Sequence, residues 1–329
     1  MRIGLIGAGA VADLHALAAD RIADTRLTAV CDLEESAARR VAAPHGAATF
    51  TDYRDLLACR SVDAVIVNTP HALHSRMVLD AAAHGLHVLV EKPMATTLDD
   101  CDAMAAACAQ AGVTLSVGHI QHFLPDKCAA ERAIADGVLG APLAVHDYRS
   151  TDYRPGTRSP WFFSRELAGG GALMNIGAHC LDRSVWLGGA PAVSLTAAVT
   201  ERFGAPVETD GTVALRLANG GLAGVSVISD PPHKVDELTV VCERGSVVAD
   251  PRAGTFLRID GRTRQIHTPS GTDIPDAFRE QLADFVAAVG GAAPRVTPEH
   301  GRHIVELVLA SYASAATGEP VGVGAAQSV

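Results

Sequence analysis

The sequence predicts an α/β protein, with a doubly wound parallel sheet first and an α+β domain with a mostly antiparallel sheet after it. Three observations carry this. Through about residue 120, short apolar runs alternate with helical patterns across short connections, as in a parallel sheet covered on both faces. From about residue 143, strand-like runs follow one another through Gly- and Asp-rich turns, which suits antiparallel pairing. The chain has 329 residues, beyond the roughly 250–300 at which one core stops growing. The expected divisions are 1–122, 123–320 and a loose Gly/Ala-rich tail over 321–329.

Taken in order, residues 2–6 are an apolar strand that ends in Gly7-Ala8-Gly9, and a helical pattern runs on to Ala23. Leu27–Cys31 is a β-rich run ending at Asp32, followed by a helix over 34–43. Strands at 62–67, 86–90 and 113–117 alternate with helices at 74–84 and 98–111. Later strands are expected at 143–150, 193–202, 211–218, 222–229, 237–242, 246–250 and 256–259. Helices are expected at 125–136, 171–187, 276–290 and 298–316.

Composition narrows the function classes. Hydrophobic residues are 48% and charged residues 19%, which excludes a disordered chain. Aromatics are only 4%, so Ala, Val, Leu and Ile must fill the core. A formal charge of −10 lacks the footprint of a duplex nucleic-acid binder. No apolar run reaches the ~18–20 residues of a membrane span. Seven scattered cysteines without a C-x-x-C pair, and a start without a signal-peptide pattern, lead us to expect reduced thiols in a cytoplasmic protein.

Gly7-Ala8-Gly9-Ala10-Val11-Ala12 fits G-x-G-x-x-G/A, between a strand and a helix as the motif requires. Gly7 permits the tight turn, and Gly9 lets backbone approach a pyrophosphate. Ala10 and Val11 open a helix whose N-terminus favours anions. Asp32 ends the next strand, where an acid grips ribose hydroxyls and repels a 2′-phosphate. NAD is therefore the expected cofactor, with NADP open because Arg39 and Arg40 follow.

The chain has three lysines, Lys92, Lys127 and Lys234, against 24 arginines. Lys92 sits in Glu91-Lys92-Pro93 after the strand 86–90, where ligands of open α/β sheets bind. An amine, unlike a guanidinium, can lower its pKa and exchange a proton at neutral pH. Its other reading is a structural ion pair with Glu91.

These features, with Asn68-Thr69-Pro70, His74 and the run Gly169-Gly170-Gly171-Ala172-Leu173-Met174-Asn175-Ile176-Gly177-Ala178-His179, resemble the Gfo/Idh/MocA oxidoreductases over roughly 1–320. The resemblance implies a Rossmann domain followed by a domain with a large open sheet. It implies NAD(P)-dependent oxidation or reduction of sugars, amino sugars, cyclitols and related polyols. It implies that Lys92 touches the reacting hydroxyl and that His179 is catalytic. The family's usual acid falls on Asn175, which can hydrogen-bond a hydroxyl but cannot take a proton. A glycosidase with transient hydride transfer lies within the same resemblance, and a non-catalytic dinucleotide sensor is the further alternative.

Asn175 and His179, four apart on a helix, are expected to share a face, with His179 as general base and Asp182 orienting it or packing. The preceding glycines suit close approach to cofactor or substrate. Asn68, Thr69, Pro70, His74 and Glu91 are expected at the cofactor edge of the sheet. His119, Gln121 and His122 are expected to contact substrate, since two histidines without an acid make an incomplete metal site. His300 and His303 read as surface groups. Tyr153, Arg154, Arg158 and Trp161 belong to the one aromatic-rich stretch and suit a polyhydroxylated ring. An uncovered sheet face would pair with a copy of itself, giving a homodimer or homotetramer.

Overall fold

The computed structural model describes residues 1–229, 232 and 234–324. The first of its two compact units comprises Met1–Phe123 with Thr272–Arg302. Its N-terminal part runs β1 (Arg2–Ile6), α1 (Ala12–Asp20), β2 (Arg26–Cys31), α2 (Glu35–Ala42), β3 (Ala48–Phe50), α3 (Tyr53–Ala58), β4 (Ala64–Val67), α4 (His74–Ala83), β5 (His87–Glu91), α5 (Leu98–Ala111) and β6 (Leu115–Gly118). The six strands are parallel, in the order β3-β2-β1-β4-β5-β6. The order reverses between β1 and β4, so the chain leaves these strands in opposite directions and a crevice opens at their carboxyl ends. Ile3, Leu5, Val30, Ile66 and Leu89 form the sheet's side of the core, and the fully buried Ala12, Ala16 and Ala19 let α1 lie close against it.

The second unit comprises Leu124–Gly271 and the chain from His303 onward. It contains α6 (Pro125–Ala135), β7 (Pro142–Thr151), α7 (Arg165–Ala168), a π-helical turn (Leu173–Gly177) running straight into α8 (Ala178–Leu187), then β8 (Ala192–Thr200), β9 (Asp210–Leu217), β10 (Leu222–Ser229), β11 (Asp236–Cys242), β12 (Gly245–Asp250), β13 (Gly254–Ile259) and β14 (Arg262–His267). Helices α9 (Asp273–Val289) and α10 (Pro298–Thr317) and strand β15 (Val321–Gly322) complete the chain. The nine strands lie in the order β14-β13-β12-β11-β7-β10-β9-β8-β15. Every pair is antiparallel except β7 with β10. Burial alternates along β9, so one sheet face is packed and the other is open.

Several expectations need correction. Helix α9 belongs with the first unit, not the second: Phe278, Leu282 and Phe285 pack into the core of α1 and β1. Short β3 and α3 lay below the length at which periodicity is legible. Strand β14, Arg-Thr-Arg-Gln-Ile-His, has no buried residue and went unread because it is an edge strand guarded by charge. Val321 and Gly322, expected in the loose tail, pair with β8, and residues 325–329 of that tail lie outside the described residues. All seven cysteines are free thiols. Among the described residues no helix is long and apolar enough to cross a membrane.

Candidate active site

The first unit carries the glycine loop. At Gly7 φ is +100°, and an added Cβ would lie 2.3 Å from the Asn68 carbonyl oxygen, so only glycine fits. Gly7 N donates to Cys31 O at 2.8 Å, and Asn68 Nδ2 donates to Gly7 O at 3.2 Å. The loop is thereby stitched across the ends of β1, β2 and β4. Gly9 differs: it is exposed, and a Cβ there meets nothing within 4 Å. Ala10 is exposed beside it, and no side chain caps α1 at Val11. Open space over an uncapped helix start suits a dinucleotide pyrophosphate.

Asp32 completes the fit. Its Oδ2 accepts from Ala8 N at 2.8 Å and its Oδ1 from Glu34 N at 2.9 Å, which fixes a half-exposed carboxylate at the end of β2. Arg39 is paired with Glu35 at 2.5 Å and Arg40 with Asp13 at 2.6 Å. Both downstream cations thus face acids, and Asp32 faces the loop.

Beyond β5, Lys92 is half-exposed and follows Glu91. Glu91 Oε1 lies 2.9 Å from His15 Nε2, and Glu91 Oε2 accepts from Lys92 N at 3.2 Å. Burial alone would raise the Glu91 pKa. The His15 hydrogen bond and the charges of His15 and Lys92 prevail and hold it below the usual value. His15 escaped the sequence reading, although a histidine in an alanine-rich helix was its available signal.

Asn68, Thr69 and Pro70 are half-buried around the turn after β4. His74 is fully buried, with 0% exposure. Its Nδ1 faces Pro93 O at 3.0 Å and its Nε2 faces Thr69 O at 2.9 Å, so it clamps two turns together. Burial pushes its pKa down, against the pull of those carbonyls. His119 is likewise fully buried, and Gln121 and His122 each keep 4% exposure. His300 is no surface group: its half-buried ring stands edge-on to His119 and His122, at 5.7 and 5.2 Å. Half-buried His303 accepts from Ala192 N at 3.3 Å.

The second unit carries Asn175 and His179. Between Gly170 and Val185 every residue is buried except His179, which is half-exposed. Asn175 lies in the π-helical turn, whose wider winding aligns residues four apart better than a 3.6-residue turn does. Asp182 is fully buried. The glycines before this helix are corrected in role. A Cβ on Gly170 would lie 2.0 Å from Tyr312 Oη, and one on Gly171 would lie 2.0 Å from Glu208 O. They admit neighbouring protein, not a ligand. Glu208 Oε1 accepts from Gly171 N at 2.7 Å, Leu173 N at 3.1 Å and Tyr312 Oη at 2.7 Å.

In the aromatic stretch Tyr153 is fully buried. Its hydroxyl donates to Phe162 O at 3.2 Å and accepts a hydrogen bond from the Asn175 side chain, so it positions Asn175. Burial raises its pKa. Arg154 is held by Asp152 at 2.7 and 2.9 Å. Trp161 is half-buried and stacks on Phe162 at 3.7 Å. Arg158 is half-buried, with its guanidinium 4.9 Å over the Tyr153 ring.

Comparison with known proteins gives the family. Residues 1–119 match the family model for an oxidoreductase family with an NAD-binding Rossmann fold, and residues 128–248 match the GFO/IDH/MocA C-terminal domain. The chain is 32% identical to inositol 2-dehydrogenase 2 of Paenarthrobacter aurescens, covering 89% of each. It is 30% identical to D-xylose 1-dehydrogenase (NADP(+)) 2 of Haloferax volcanii, covering 98% of this chain and 99% of the relative. Among solved structures, GenD2 from gentamicin A biosynthesis, in complex with NAD, superposes with a TM-score of 0.89 at 27% identity, covering 99% of this chain and 97% of that one. With both family domains matched in order along its length, the chain belongs to the Gfo/Idh/MocA family of NAD-binding oxidoreductases.

Proposed function

We propose that this protein is an NAD(P)-dependent dehydrogenase or reductase acting on a CH–OH carbon of a sugar, amino sugar or cyclitol. The observation that carries this reading is His179, the one half-exposed residue between Gly170 and Val185, next to a fixed Asn175. The nicotinamide, when bound, supplies the redox chemistry by exchanging a hydride. Gly9 and the start of α1 hold its pyrophosphate, Asp32 its ribose, and Asn68, Thr69 and Pro70 its nicotinamide end. Lys92 polarises the reacting oxygen, and His179 takes or returns the proton. Asn175 orients the hydroxyl without titrating.

The carboxylate at Asp32 and the acid-paired arginines favour NAD. A relative whose name specifies NADP(+) keeps both cofactors in the test. The open sheet face, where Thr212, Ala214 and Arg216 are exposed, pairs with a second copy in this reading. Seven free thiols fit a reducing, cytoplasmic setting.

The test is nicotinamide absorbance with NAD and with NADP against free, amino and phosphorylated sugars and cyclitols, paired with Lys92→Ala. The reading expects reduced cofactor with one member and a loss of turnover of about a hundredfold or more in the variant, with cofactor affinity nearly kept. Sugar product without net cofactor reduction would move the reading to the glycosidase. Equal turnover in Lys92→Ala would remove the role given to that lysine.

A further inference from the structure

The inner face of β7 presents Val145, Asp147, Arg149 and Thr151 in alternation. Asp147 takes Arg183 of α8 in a two-pronged pair at 2.6 and 2.7 Å, and both side chains are fully buried. Arg183 also reaches Asp236 at 2.6 Å, and Arg149 lies 3.8 Å from the same carboxylate. Arg158 donates to Thr151 Oγ1 at 3.0 Å. Three guanidiniums therefore face two carboxylates.

Among the described residues, neighbouring acids are already engaged. Asp152 is occupied by Arg154, and Asp126 by Lys127 at 2.5 Å. Glu208 serves the amides of Gly171 and Leu173 and the Tyr312 hydroxyl. Lys234, within the field of Asp152, adds positive charge. Two guanidinium nitrogens, Arg149 Nη1 and Arg158 Nε, are buried without a hydrogen-bond partner among the described residues. Burial lowers the Arg158 pKa, and the charge of Arg149 lowers it further, against the opposing effects of Tyr153 and Asp152. An unbonded donor on a buried cation is costly, and an anion is what relieves it.

The position of this pair is also informative. Arg183 binds Asp147, and Asn175 bonds Tyr153 just past the end of β7. The helix thus runs antiparallel along the strand, and His179, midway between, falls at the level of Arg149 and Thr151. We propose that Arg149 and Arg158 receive a single carboxylate of the substrate, so that the preferred substrate is a hydroxylated monocarboxylic acid such as a uronate or aldonate. Two donors from separate guanidiniums suit the two oxygens of one carboxylate. This inference rests on the oxidoreductase reading above and sharpens its substrate class.

The experiment compares kcat/KM for matched pairs, D-glucose with D-glucuronate and D-galactose with D-galacturonate, with glucose 6-phosphate as the dianion. The wild type is expected to favour the acid by about tenfold or more. Arg158→Met should collapse that ratio, and Arg158→Lys should restore it only in part, because a point charge replaces a planar fork. Acetate should compete with the acid substrate in the wild type, a readout independent of any variant's folding. Preference for the neutral or phosphorylated member, a ratio unmoved in a folded Arg158→Met, or no competition by acetate would overturn the proposal. If no sugar reduces the cofactor, the oxidoreductase reading fails separately. Calorimetric titration of D-glucuronate into wild type and Arg158→Met then decides this one: binding lost in the variant supports it, and no binding to the wild type overturns it.

Discussion

Two glycine clusters open helices in this chain, one in each unit, and physics uses them in opposite ways. Gly9 stands in the open before a helix that no side chain caps. Gly170 and Gly171 are pressed against Tyr312 and Glu208, and a carboxylate from the protein itself already holds the helix start. The first cluster leaves its positive helix end for an outside anion, whereas the second has satisfied that need internally. A glycine at a helix start therefore announces close approach, but only the surroundings say whether the approaching atom is ligand or protein.

The largest test of this contrast is Gly171→Ala. Its Cβ must displace backbone at 2.0 Å, so stability should fall by about 3 kcal/mol or more in urea unfolding. An unperturbed midpoint would mean the second cluster has the slack of the first. Next comes Glu208→Gln, which keeps an acceptor but removes the charge from the helix start. A loss of about 1–3 kcal/mol is expected, with NAD affinity unchanged by fluorescence titration.

Gly9→Ala should leave unfolding within about 1 kcal/mol of wild type while weakening NAD binding about tenfold. A variant that destabilises without touching NAD affinity would reverse the comparison. The smallest effect concerns Glu91, whose folded pKa is depressed. Its contribution is fully present above the unfolded carboxyl value of about 4.3 and is lost as pH falls through the lower folded value. Glu91→Gln should therefore flatten the acid limb of stability against pH below about 4.3, and an unchanged slope would deny Glu91 that role.

Much of this was legible in the residues. The strand ending at Asp32, the helix Leu98–Ala111 and the position of Lys92 after β5 follow from apolar periodicity and strand-end logic. What the chain concealed was burial. His74 and Tyr153 look like ligand-facing groups by type and place, yet each is fully enclosed and holds a neighbour in position. Nothing in local spacing distinguishes a histidine bonded to two carbonyls from one facing a cofactor. The π-helical turn was equally hidden, because its residues fit an ordinary helix. Arg158 stands out in the sequence only as part of the aromatic-rich stretch, and Arg149 does not stand out at all. Their unbonded nitrogens depend on where Asp147 and Asp236 lie, and β11 brings Asp236 from far along the sequence.

Helix α9 has a consequence for the order in which the protein is made. Phe278, Leu282 and Phe285 complete the core of the first unit, yet the ribosome adds them only after the whole nine-stranded sheet has been synthesised, save its two-residue edge. Until then the nascent N-terminal segment shows an apolar face on α1 with its covering helix still to come. A chain interrupted anywhere before residue 273 would keep that face bare. Such fragments should be sticky, and complete translation becomes a condition for a closed cofactor-binding half.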